Sequence, residues 1–326
     1  MPDGEIKGEI LVNEISNVTV VGAGTMGHSL AQVFAQGGYN VWLHSRKDQT
    51  LTRARSLISA NLKTLVELGL LEETQLGLIL DRIRMTTAIE EAGKDADLVL
   101  EAIFEDEAAK EEVFKTLDRI CPPGAILASN TSHIDIFKFV EDRRLGKVVI
   151  THWFAPPHII PLVEIVRGPK TSQETVDTVN ALLIKLGKKP VVISQFLPGF
   201  IANRLQSALR AEALFLLDNG YATPEDIDTV TKAGFGLRLP ILGLVKRMDY
   251  AGLDLNQKTL RNDTYKFPPQ RSRSESLDQM VALGRLGVKA GRGFYDYGGR
   301  STEDLMKERD FKLIRLIAFL KEIGEI

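Results

Sequence analysis

Hydrophobic residues near the start of the chain fall into two short runs with a helix-forming segment between them. The β-branched run Asn17–Val21 and the run at residues 40–43 predict buried strands. Residues 28–36 predict a helix, which Gly37 and Gly38 would end. A strand, a glycine turn, a helix and a second strand within about 30 residues predict one βαβ unit.

A long stretch of helical periodicity follows, over residues 49–83. Its apolar side chains recur mostly three or four positions apart, at Leu57, Ile58, Leu62, Leu65, Val66 and Leu68. Gly69 interrupts this pattern and predicts a helical hairpin, whose second helix would cover residues 72–83. We therefore expect a helical hairpin inserted into the sheet domain directly after its second strand.

Short apolar runs then alternate with helical segments. The runs predict strands at residues 97–103, 125–128, 147–152, 162–166 and 190–193. Helices are predicted at residues 109–120 and 171–186, the second with Thr171 as its N-cap and Glu174 completing a capping box. This alternation predicts an α/β fold with a mostly parallel, doubly wound sheet of the Rossmann type.

The pattern changes at Pro198 and Gly199, after which the chain is largely helical. Helices are predicted at residues 200–219, 223–233 and 302–323, the second capped by Thr223 with Pro224 in its first turn. We divide the chain into an N-terminal extension or added edge strand (1–16), a dinucleotide-binding domain (17–197), an all-helical domain (198–297) and a C-terminal helix (298–326).

Composition and charge exclude several classes of function. The 326 residues are 44% hydrophobic and 26% charged, which is ordinary for a globular protein. Lys and Arg total 41 against 43 Asp and Glu, a net charge of -2, so no surplus of cations favours a nucleic acid as partner. No apolar run approaches the roughly 18 residues that span a bilayer, so no membrane partner is expected.

The single cysteine, Cys121, permits neither an intrachain disulfide nor a cysteine-based metal cluster, and no metal site is predicted. One unpaired cysteine favours a reducing compartment. The first 16 residues are acidic and lack the basic and apolar regions of a signal peptide. We therefore expect a cytoplasmic protein.

The first strand ends in a glycine-rich turn that leads into the first helix. Residues Gly22, Gly24, Thr25, Met26 and Gly27 belong to a G-x-G-x-x-G sequence in the order strand, turn and helix. Glycine lets the backbone approach a diphosphate, and the N-terminus of the following helix attracts an anion. The turn therefore predicts a dinucleotide site; the alternative is a strand-to-helix turn without a ligand.

The end of the second strand bears on the choice of cofactor. An acidic residue there would bind the free ribose of NAD, but the chain has Ser45, Arg46 and Lys47. A hydroxyl and two cations suit the 2′-phosphate of NADP better, so NADP is favoured over NAD. Alternatively, the two cations only begin a solvated helix, and Asp48 binds the ribose.

Polar residues at the ends of the later predicted strands form a candidate catalytic site. Residues 129–132 follow one strand, His152 ends the next, and Glu164 lies in the strand after that. Ligands of open α/β sheets bind at the carboxyl ends of the strands. A histidine beside a carboxylate is a candidate general base, although it could instead be a hydrogen-bonded core residue.

These motifs, taken in order and spacing, resemble the L-3-hydroxyacyl-CoA dehydrogenase family from about residue 17 to 297. The resemblance rests on Gly22-Ala23-Gly24-Thr25-Met26-Gly27, Ser129-Asn130-Thr131-Ser132, His152-Trp153-Phe154 with Pro156, Leu162-Val163-Glu164, and Pro198-Gly199-Phe200-Ile201-Ala202-Asn203-Arg204. Asp249-Tyr250-Ala251-Gly252-Leu253-Asp254 and the segment 287–295 resemble the family's helical domain. The inserted helical hairpin is also a feature of this family.

The resemblance implies a reaction and roles for four catalytic residues. His152 would take the proton from a substrate 3-hydroxyl while hydride passes to nicotinamide, and Glu164 would orient His152. Ser132 and Asn203 would hold the reacting oxygen or the neighbouring carbonyl. Structural alternatives are a turn hydroxyl for Ser132 and a helix-surface amide for Asn203.

The resemblance also implies further cofactor contacts and an assembly. Glu105, Lys110 and Asn130 match positions near the cofactor, although Glu105 and Lys110 could simply begin a solvated helix. The helical domain at residues 198–297 would bind substrate and form a homodimer.

Several positions depart from the family pattern. Ala155 replaces the asparagine of the family's His-Phe-Phe-Asn-Pro stretch, His133 stands where a serine is common, and residues 243–246 replace a Gly-Pro-Phe-Glu turn. The segment of residues 153–161 looks more like that of relatives that oxidise free hydroxy acids or pyridine alcohols. Within it, His158 could bind a carboxylate or be an ordinary loop residue.

The charge of the helical hairpin also bears on the substrate. Residues 65–80 contain no Lys or Arg, which disfavours the phosphates of CoA, although Arg53, Arg55 and Lys63 remain available. A short-chain 3-hydroxyacyl-CoA is the leading substrate. The alternatives are a free 3-hydroxy acid or related alcohol of gulonate, carnitine or pyridine type, imine or amine chemistry, and a catalytically silent dinucleotide-binding protein.

Overall fold

The computed structural model describes residues 15–261, 268 and 272–326. It divides into two units, the first reaching Phe200 and the second beginning at Ile201. Of the predicted N-terminal extension, residues 1–14 lie outside the described residues. Ser16 is held at the start of the sheet, because its backbone N–H donates to Oδ2 of Asp97 at 2.9 Å.

The first unit is built on an eight-stranded sheet with the order β3-β2-β1-β4-β5-β6-β7-β8. The strands are β1 Asn17–Val21, β2 Asn40–His44, β3 Ile83–Thr86, β4 Leu98–Glu101, β5 Ile126–Ser129, β6 Val148–Trp153, β7 Leu162–Arg167 and β8 Lys189–Ile193. Neighbouring strands run parallel except β6 and β7, which are antiparallel. The sheet confirms the predicted doubly wound Rossmann-type fold.

Six α-helices connect these strands. They are α1 Gly27–Gln36, α2 Asp48–Glu67, α3 Glu73–Asp81, α4 Ile89–Gly93, α5 Glu107–Ile120 and α6 Gln173–Lys185. Two short 3₁₀ turns, Ile136–Phe139 and Leu145–Lys147, precede β6. Helices α2 and α3 form the predicted hairpin after the second strand.

Hydrophobic side chains pack on both faces of the sheet. Successive residues of a strand point to opposite faces, so Val20 and Val21 of β1 belong to two different buried clusters. Val20 lies in a cluster with Leu30 of α1, and Val21 lies in one with Phe114 of α5. Because both faces are covered, the central strands are apolar at almost every position.

The edge strand β3 and the short helix α4 were not predicted. Residues 83–86 stand at the end of a segment with helical spacing, but α3 ends at Asp81 and the chain then extends beside β2. The pairing joins Val41 to Ile83, which are far apart in the sequence. A four-residue edge strand has too little pattern of its own to indicate such a partner.

The predicted capping box of α6 is wrong by one residue. Ser172 is the N-cap, and its hydroxyl accepts a hydrogen bond from the backbone of Thr175. Thr171 instead donates its hydroxyl to the carbonyl of Val148 at 2.7 Å and accepts from the backbone N–H of Gly168. Strand β6 therefore competes for the side chain that the local sequence assigns to the helix.

The second unit is largely helical, as predicted. Its α-helices are α7 Ala202–Asp218, α8 Pro224–Val230, α9 Gly236–Leu242, α10 Val245–Ala251, α11 Leu253–Leu260, α12 Glu275–Ala282 and α13 Thr302–Glu322. Thr223 caps α8, with Pro224 as the first helical residue. Helix α8 ends at Val230 and continues as one wide π-turn, Thr231–Phe235, whereas the sequence predicts an α-helix to residue 233. No helix in the described ranges is long and apolar enough to cross a membrane.

A buried arginine holds the turn between α5 and β5. Arg144 donates from Nε to Asp118 at 2.8 Å and from Nη1 to the carbonyls of Pro122 and Pro123 at 2.7 and 2.9 Å. Its Nη2 also donates to the carbonyl of Cys121 at 3.1 Å. This one side chain therefore satisfies several carbonyls that would otherwise be buried without a donor.

Replacing this arginine tests how much the turn contributes to stability. We expect Arg144→Met to lower the free energy of unfolding by about 3 kcal/mol, because the substitution leaves buried carbonyls without a donor and removes one of the two arginines that bind Asp118. Urea denaturation measures the loss. Arg143→Ala is the matched control, since Arg143 also binds Asp118 but its side chain is 60% exposed. Equal losses for both variants would contradict this account.

Candidate active site

The glycine-rich turn is closely packed on one side and open on the other. Gly22 has a φ of 107°, and a Cβ there would lie 2.6 Å from the carbonyl oxygen of Ala102. A Cβ on Gly27 would collide with the carbonyl of Gly22, whereas one on Gly24 would meet no atom within 4 Å. Helix α1 follows, and Met26 at its N-cap gives no side-chain hydrogen bond. The turn therefore offers open backbone at a helix N-terminus, which suits a diphosphate.

A cavity of about 600 Å³ extends from this turn along the end of β2. His44 lines it and is only 7% exposed, yet its Nδ1 has no hydrogen-bond partner among the described residues. Burial lowers the pKa of His44, so this imidazole is held neutral. Gly22 and Gly24 line the same cavity, so the open backbone at the N-terminus of α1 is accessible to a diphosphate from it. The residues present therefore fit a dinucleotide.

Charged residues of both signs line this cavity. Ser45, Arg46 and Lys47 line it, and Arg46 and Lys47 are exposed. Glu90 and Glu112 line it as well. Helix α2 begins directly after Lys47, so the two cations also have the position of a solvated helix start.

His152 and Glu164 form a buried pair across two antiparallel strands. The register of β6 and β7 places them directly opposite one another, with Nδ1 of His152 2.8 Å from Oε2 of Glu164. Both residues are almost fully buried. The rings of Phe154 and Phe200 lie edge-on to the imidazole at centroid distances of 4.6 and 5.2 Å. Apolar rings and a carboxylate thus enclose the histidine.

The second nitrogen of His152 faces a serine. Nε2 lies 3.4 Å from Oγ of Ser132, in the turn after β5. When the Glu164 carboxylate accepts a hydrogen bond from Nδ1–H of His152, the lone pair of the ring lies on Nε2. Such a ring can accept a proton from a hydroxyl, and the carboxylate stabilises the resulting charge.

Glu105 and Lys110 hold the turn that carries Ser132. The Glu105 carboxylate accepts from the Thr131 hydroxyl at 2.6 Å and from the Ser132 backbone N–H at 2.7 Å, and it lies 3.2 Å from Nζ of Lys110. Although burial by itself would raise the pKa of Glu105, the bond from Thr131 and the charge of Lys110 hold it below its usual range. His133 adds a contact to the same carboxylate.

Sequence reasoning missed Glu101, a fully buried carboxylate at the end of β4. It accepts from Nζ of Lys110 at 2.7 Å, from the hydroxyl of Ser129 at 2.5 Å and from the backbone N–H of Ile103 at 2.7 Å. The sequence does hold a signal, because an acidic residue closing an apolar strand is rarely buried unless it is paired.

Asn130 lies between β5 and β6. Its side-chain oxygen accepts from the backbone N–H of Trp153 at 2.8 Å, and its own backbone N–H donates to the carbonyl of Glu101. Asn203 lies in the first turn of α7, in the second unit, and its part in substrate binding stays a prediction. In the part of the chain that the structure describes, no group of three or more His, Cys, Asp or Glu side chains could hold a metal ion.

Comparison with known proteins identifies the family. A family model described as "3-hydroxyacyl-CoA dehydrogenase, NAD binding domain" matches residues 17–196, and one described as "3-hydroxyacyl-CoA dehydrogenase, C-terminal domain" matches residues 199–297. The chain belongs to the 3-hydroxyacyl-CoA dehydrogenase family. It is thus an oxidoreductase with the NAD-binding domain of that family, which confirms the resemblance found in the sequence.

Curated relatives cover nearly the whole chain. A 5-formyl-3-hydroxy-2-methylpyridine 4-carboxylate 5-dehydrogenase of Mesorhizobium japonicum is 33% identical, over 94% of this chain and 99% of its own. A probable 3-hydroxybutyryl-CoA dehydrogenase of Bacillus subtilis is 38% identical, over 89% of this chain and 100% of its own.

Solved structures give the same two kinds of relative. The crystal structure of a 5-formyl-3-hydroxy-2-methylpyridine 4-carboxylic acid 5-dehydrogenase, described as an NAD+-dependent dismutase, has a TM-score of 0.84 at 32% identity, over 94% of this chain and 99% of its own. That of (S)-3-hydroxybutyryl-CoA dehydrogenase from Ralstonia eutropha has a TM-score of 0.70 at 33% identity, over 87% of this chain and 100% of its own.

Proposed function

We propose that this dehydrogenase interconverts the hydroxyl and carbonyl forms of a 3-hydroxyacyl compound, with His152 as general base. The observation that carries the proposal is the buried His152–Glu164 pair, at 2.8 Å, with Nε2 of His152 facing the Ser132 hydroxyl. A bound nicotinamide supplies the hydride acceptor. The protein supplies the proton acceptor and the polar atoms around it.

Each polar residue of the site has a distinct part in this proposal. In the oxidation, the proton of the substrate hydroxyl passes to Nε2 of His152, and the Glu164 carboxylate stabilises the imidazolium. Ser132 holds the reacting oxygen by a hydrogen bond from its hydroxyl, and the side-chain amide of Asn203 supplies a further contact to the substrate. In the reduction, protonated His152 returns the proton to the carbonyl oxygen.

The cofactor site in this proposal is the glycine-rich turn with its surroundings. Gly22, Gly24, Thr25, Met26 and Gly27 bind the diphosphate through backbone N–H groups. Three further residues border the cofactor in this proposal: Glu105, Lys110 and Asn130. Their hydrogen bonds hold the turns after β4 and β5, which supports a place for all three beside the reaction centre.

Removal of the base tests the reaction. We expect His152→Ala to lower kcat by about 10²- to 10⁴-fold, the usual worth of a general base, while the Kd for the reduced cofactor changes little. Stopped-flow or steady-state absorbance of the cofactor at saturating substrate measures kcat, and cofactor fluorescence measures Kd. Glu164→Gln keeps the shape of the pair but removes its charge, so an intermediate loss is expected. A kcat unchanged in His152→Ala would exclude the assigned base.

We also propose that the cofactor is NADP rather than NAD. Support comes from Ser45 and Arg46, which line the cavity where an acidic residue would bind a free ribose. The guanidinium of Arg46 is suited to a 2′-phosphate. Glu90 and Glu112 in the same cavity oppose this preference, and the family model describes an NAD binding domain.

Substitution of Arg46 distinguishes the two cofactors. We expect Arg46→Ala to raise the Kd for NADPH about ten-fold, because a charge-assisted hydrogen bond to the phosphate is lost. The Kd for NADH serves as the internal control and should not change. Tighter binding of NADH than NADPH by the unaltered enzyme would show that the NADP preference is wrong.

The leading substrate in this proposal is a short-chain 3-hydroxyacyl-CoA. Family membership supports it, as does similarity to a protein named as a probable 3-hydroxybutyryl-CoA dehydrogenase. On the hairpin, Arg53, Arg55 and Lys63 are exposed and available to phosphate groups.

A free hydroxy acid or aromatic alcohol is the second candidate. The TM-score of 0.84 to the pyridine-carboxylate dehydrogenase exceeds the 0.70 to the hydroxybutyryl-CoA enzyme, and its match covers more of the chain. Residues 65–80 of the hairpin contain Glu67, Glu72 and Glu73 but no Lys or Arg, so this surface repels phosphate.

A substrate panel separates the two candidates. The panel consists of acetoacetyl-CoA, acetoacetate and a formylpyridine carboxylic acid, each at the same cofactor concentration. If the CoA ester is the substrate, the kcat/KM for acetoacetyl-CoA is at least ten-fold above that for either free acid. Absorbance of NADH or NADPH measures both rates. Turnover confined to the free acids would exclude the thioester and establish the second candidate.

A homodimer in the cytoplasm completes the proposal. Leu205 and Leu209 on α7 are about half exposed, which supports a protein partner for this helix in the second unit. Cys121 is the single cysteine of the chain and has no disulfide partner, which supports a reducing compartment.

A further inference from the structure

Two histidines and a serine link the glycine-rich turn to the loop between the catalytic strands. His28 and Ser29 lie in the first turn of α1, and His158 lies in the loop of residues 154–161 that joins β6 to β7. Nδ1 of His28 lies 2.8 Å from the carbonyl oxygen of Gly24, and its Nε2 lies 3.2 Å from Oγ of Ser29. The same Oγ lies 3.1 Å from Nδ1 of His158. We call this set the histidine relay.

The relay has one consistent direction of donation. A carbonyl can only accept, so Nδ1 of His28 carries the proton that points at Gly24. Burial lowers the pKa of His28, and the nearby charge of Arg53 lowers it further, so the ring is neutral and Nε2 accepts from the Ser29 hydroxyl. Having given its only proton, Ser29 accepts from Nδ1 of His158.

At one end, the relay fixes a peptide of the glycine-rich turn. The carbonyl oxygen of Gly24 accepts from the backbone N–H of His28 at 3.4 Å as well as from its ring. In a trans peptide the C=O and the following N–H point in opposite directions. Holding the Gly24 carbonyl toward α1 therefore turns the Thr25 N–H away from the helix, where a helix N-terminus receives an anion.

At the other end, the loop that carries His158 is itself anchored. Lys188 is 7% exposed and donates from Nζ to the carbonyls of Pro157 and Ile160 at 2.6 and 3.1 Å. The backbone N–H groups of Ile159 and Ile160 both donate to the carbonyl of Pro156. His158, for which the sequence left a carboxylate ligand and a loop residue as alternatives, thus contacts Ser29 from a loop with a defined conformation.

We propose that His28, Ser29 and His158 are positioning residues for the cofactor diphosphate, which hold the Gly24–Thr25 peptide in its anion-binding orientation and couple it to the 154–161 loop. The proposal rests on the cofactor site described above. It has a thermodynamic consequence: cofactor binding tightens the loop between His152 and Glu164, and a tightened loop raises cofactor affinity by the same factor.

Substitution of single residues of the relay tests its contribution to cofactor affinity. Ser29→Ala and His158→Ala are each expected to raise the Kd for NADH and NADPH about three- to ten-fold, the usual worth of a hydrogen bond. Because either deletion breaks the same relay, the double variant should bind little more weakly than either single variant. Titration of cofactor fluorescence measures all four proteins.

Matched variants separate the relay from general effects on the helix. Ser56→Ala also removes a helical serine, but that hydroxyl donates to the carbonyl of Thr52 on the exposed side of α2, so no change in Kd is expected. Ser29→Thr and His158→Asn keep a hydroxyl and an N–H donor at the same positions and should restore most of the affinity. They also carry the test if an alanine variant does not fold.

Hydrogen exchange tests the coupling directly. In the unaltered enzyme, we expect saturating NADH or NADPH to slow amide exchange in both the glycine-rich turn and the 154–161 loop. In Ser29→Ala, the slowing should persist in the turn and be lost from the loop. If Ser29 had only a structural role, Ser29→Ala would change the rate of amide exchange in the loop equally with and without cofactor.

The failures of this proposal and of the cofactor site are distinguishable. An unaltered enzyme that binds neither NADH nor NADPH would overturn the cofactor site itself. If the unaltered enzyme does bind a cofactor, three results would each overturn the relay alone. They are equal Kd values for Ser29→Ala and Ser56→Ala, additive effects of the two relay substitutions on Kd, and cofactor-dependent slowing of amide exchange in the loop that survives in Ser29→Ala.

Discussion

The antiparallel pairing of β6 with β7 is the constraint on which the candidate site depends. Every other neighbouring pair in the sheet is parallel. Antiparallel register sets two side chains directly opposite one another on one face, and here it places His152 beside Glu164 at 2.8 Å. The reversal also makes their connection a short loop instead of a crossover helix. That loop carries His158, so the same reversal brings a second histidine to the first turn of α1.

A buried ionic network supports this pair from the neighbouring strands. Glu101 and Lys110 are both almost fully buried, and burial of charge is tolerated because hydrogen bonds satisfy the carboxylate from three sides. Lys110 also contacts Glu105, which holds the backbone of Ser132. The distance between Ser132 and His152 therefore depends on side chains of β4, of α5 and of the loop between them. The geometry of the candidate site and the packing of the central strands are therefore linked through the same few groups.

Local sequence was sufficient where a short segment determines its own structure. The glycine-rich turn needs Gly22 and Gly27 because any Cβ would meet backbone, and it is recognisable because its glycines stand between a predicted strand and a predicted helix. Predicted strands end within two residues of the observed ones, because buried apolar runs have little choice of environment. The failures occurred where a distant partner decided the outcome. β3 forms only because β2 offers an edge, and Thr171 binds the carbonyl of Val148 instead of capping α6.

The sequence by itself determined the α/β class, the dinucleotide turn and the candidacy of His152 and Glu164, since each follows from residue types over short spans. Only the tertiary structure decided which polar groups meet. Ser29 and His158 are 129 residues apart, and Glu101 and Ser129 are 28 apart. No local pattern encodes these contacts, because they arise when strand order and register bring separate segments to the same end of the sheet. Hydrogen bonds act over about 3 Å, so only the folded arrangement selects their partners.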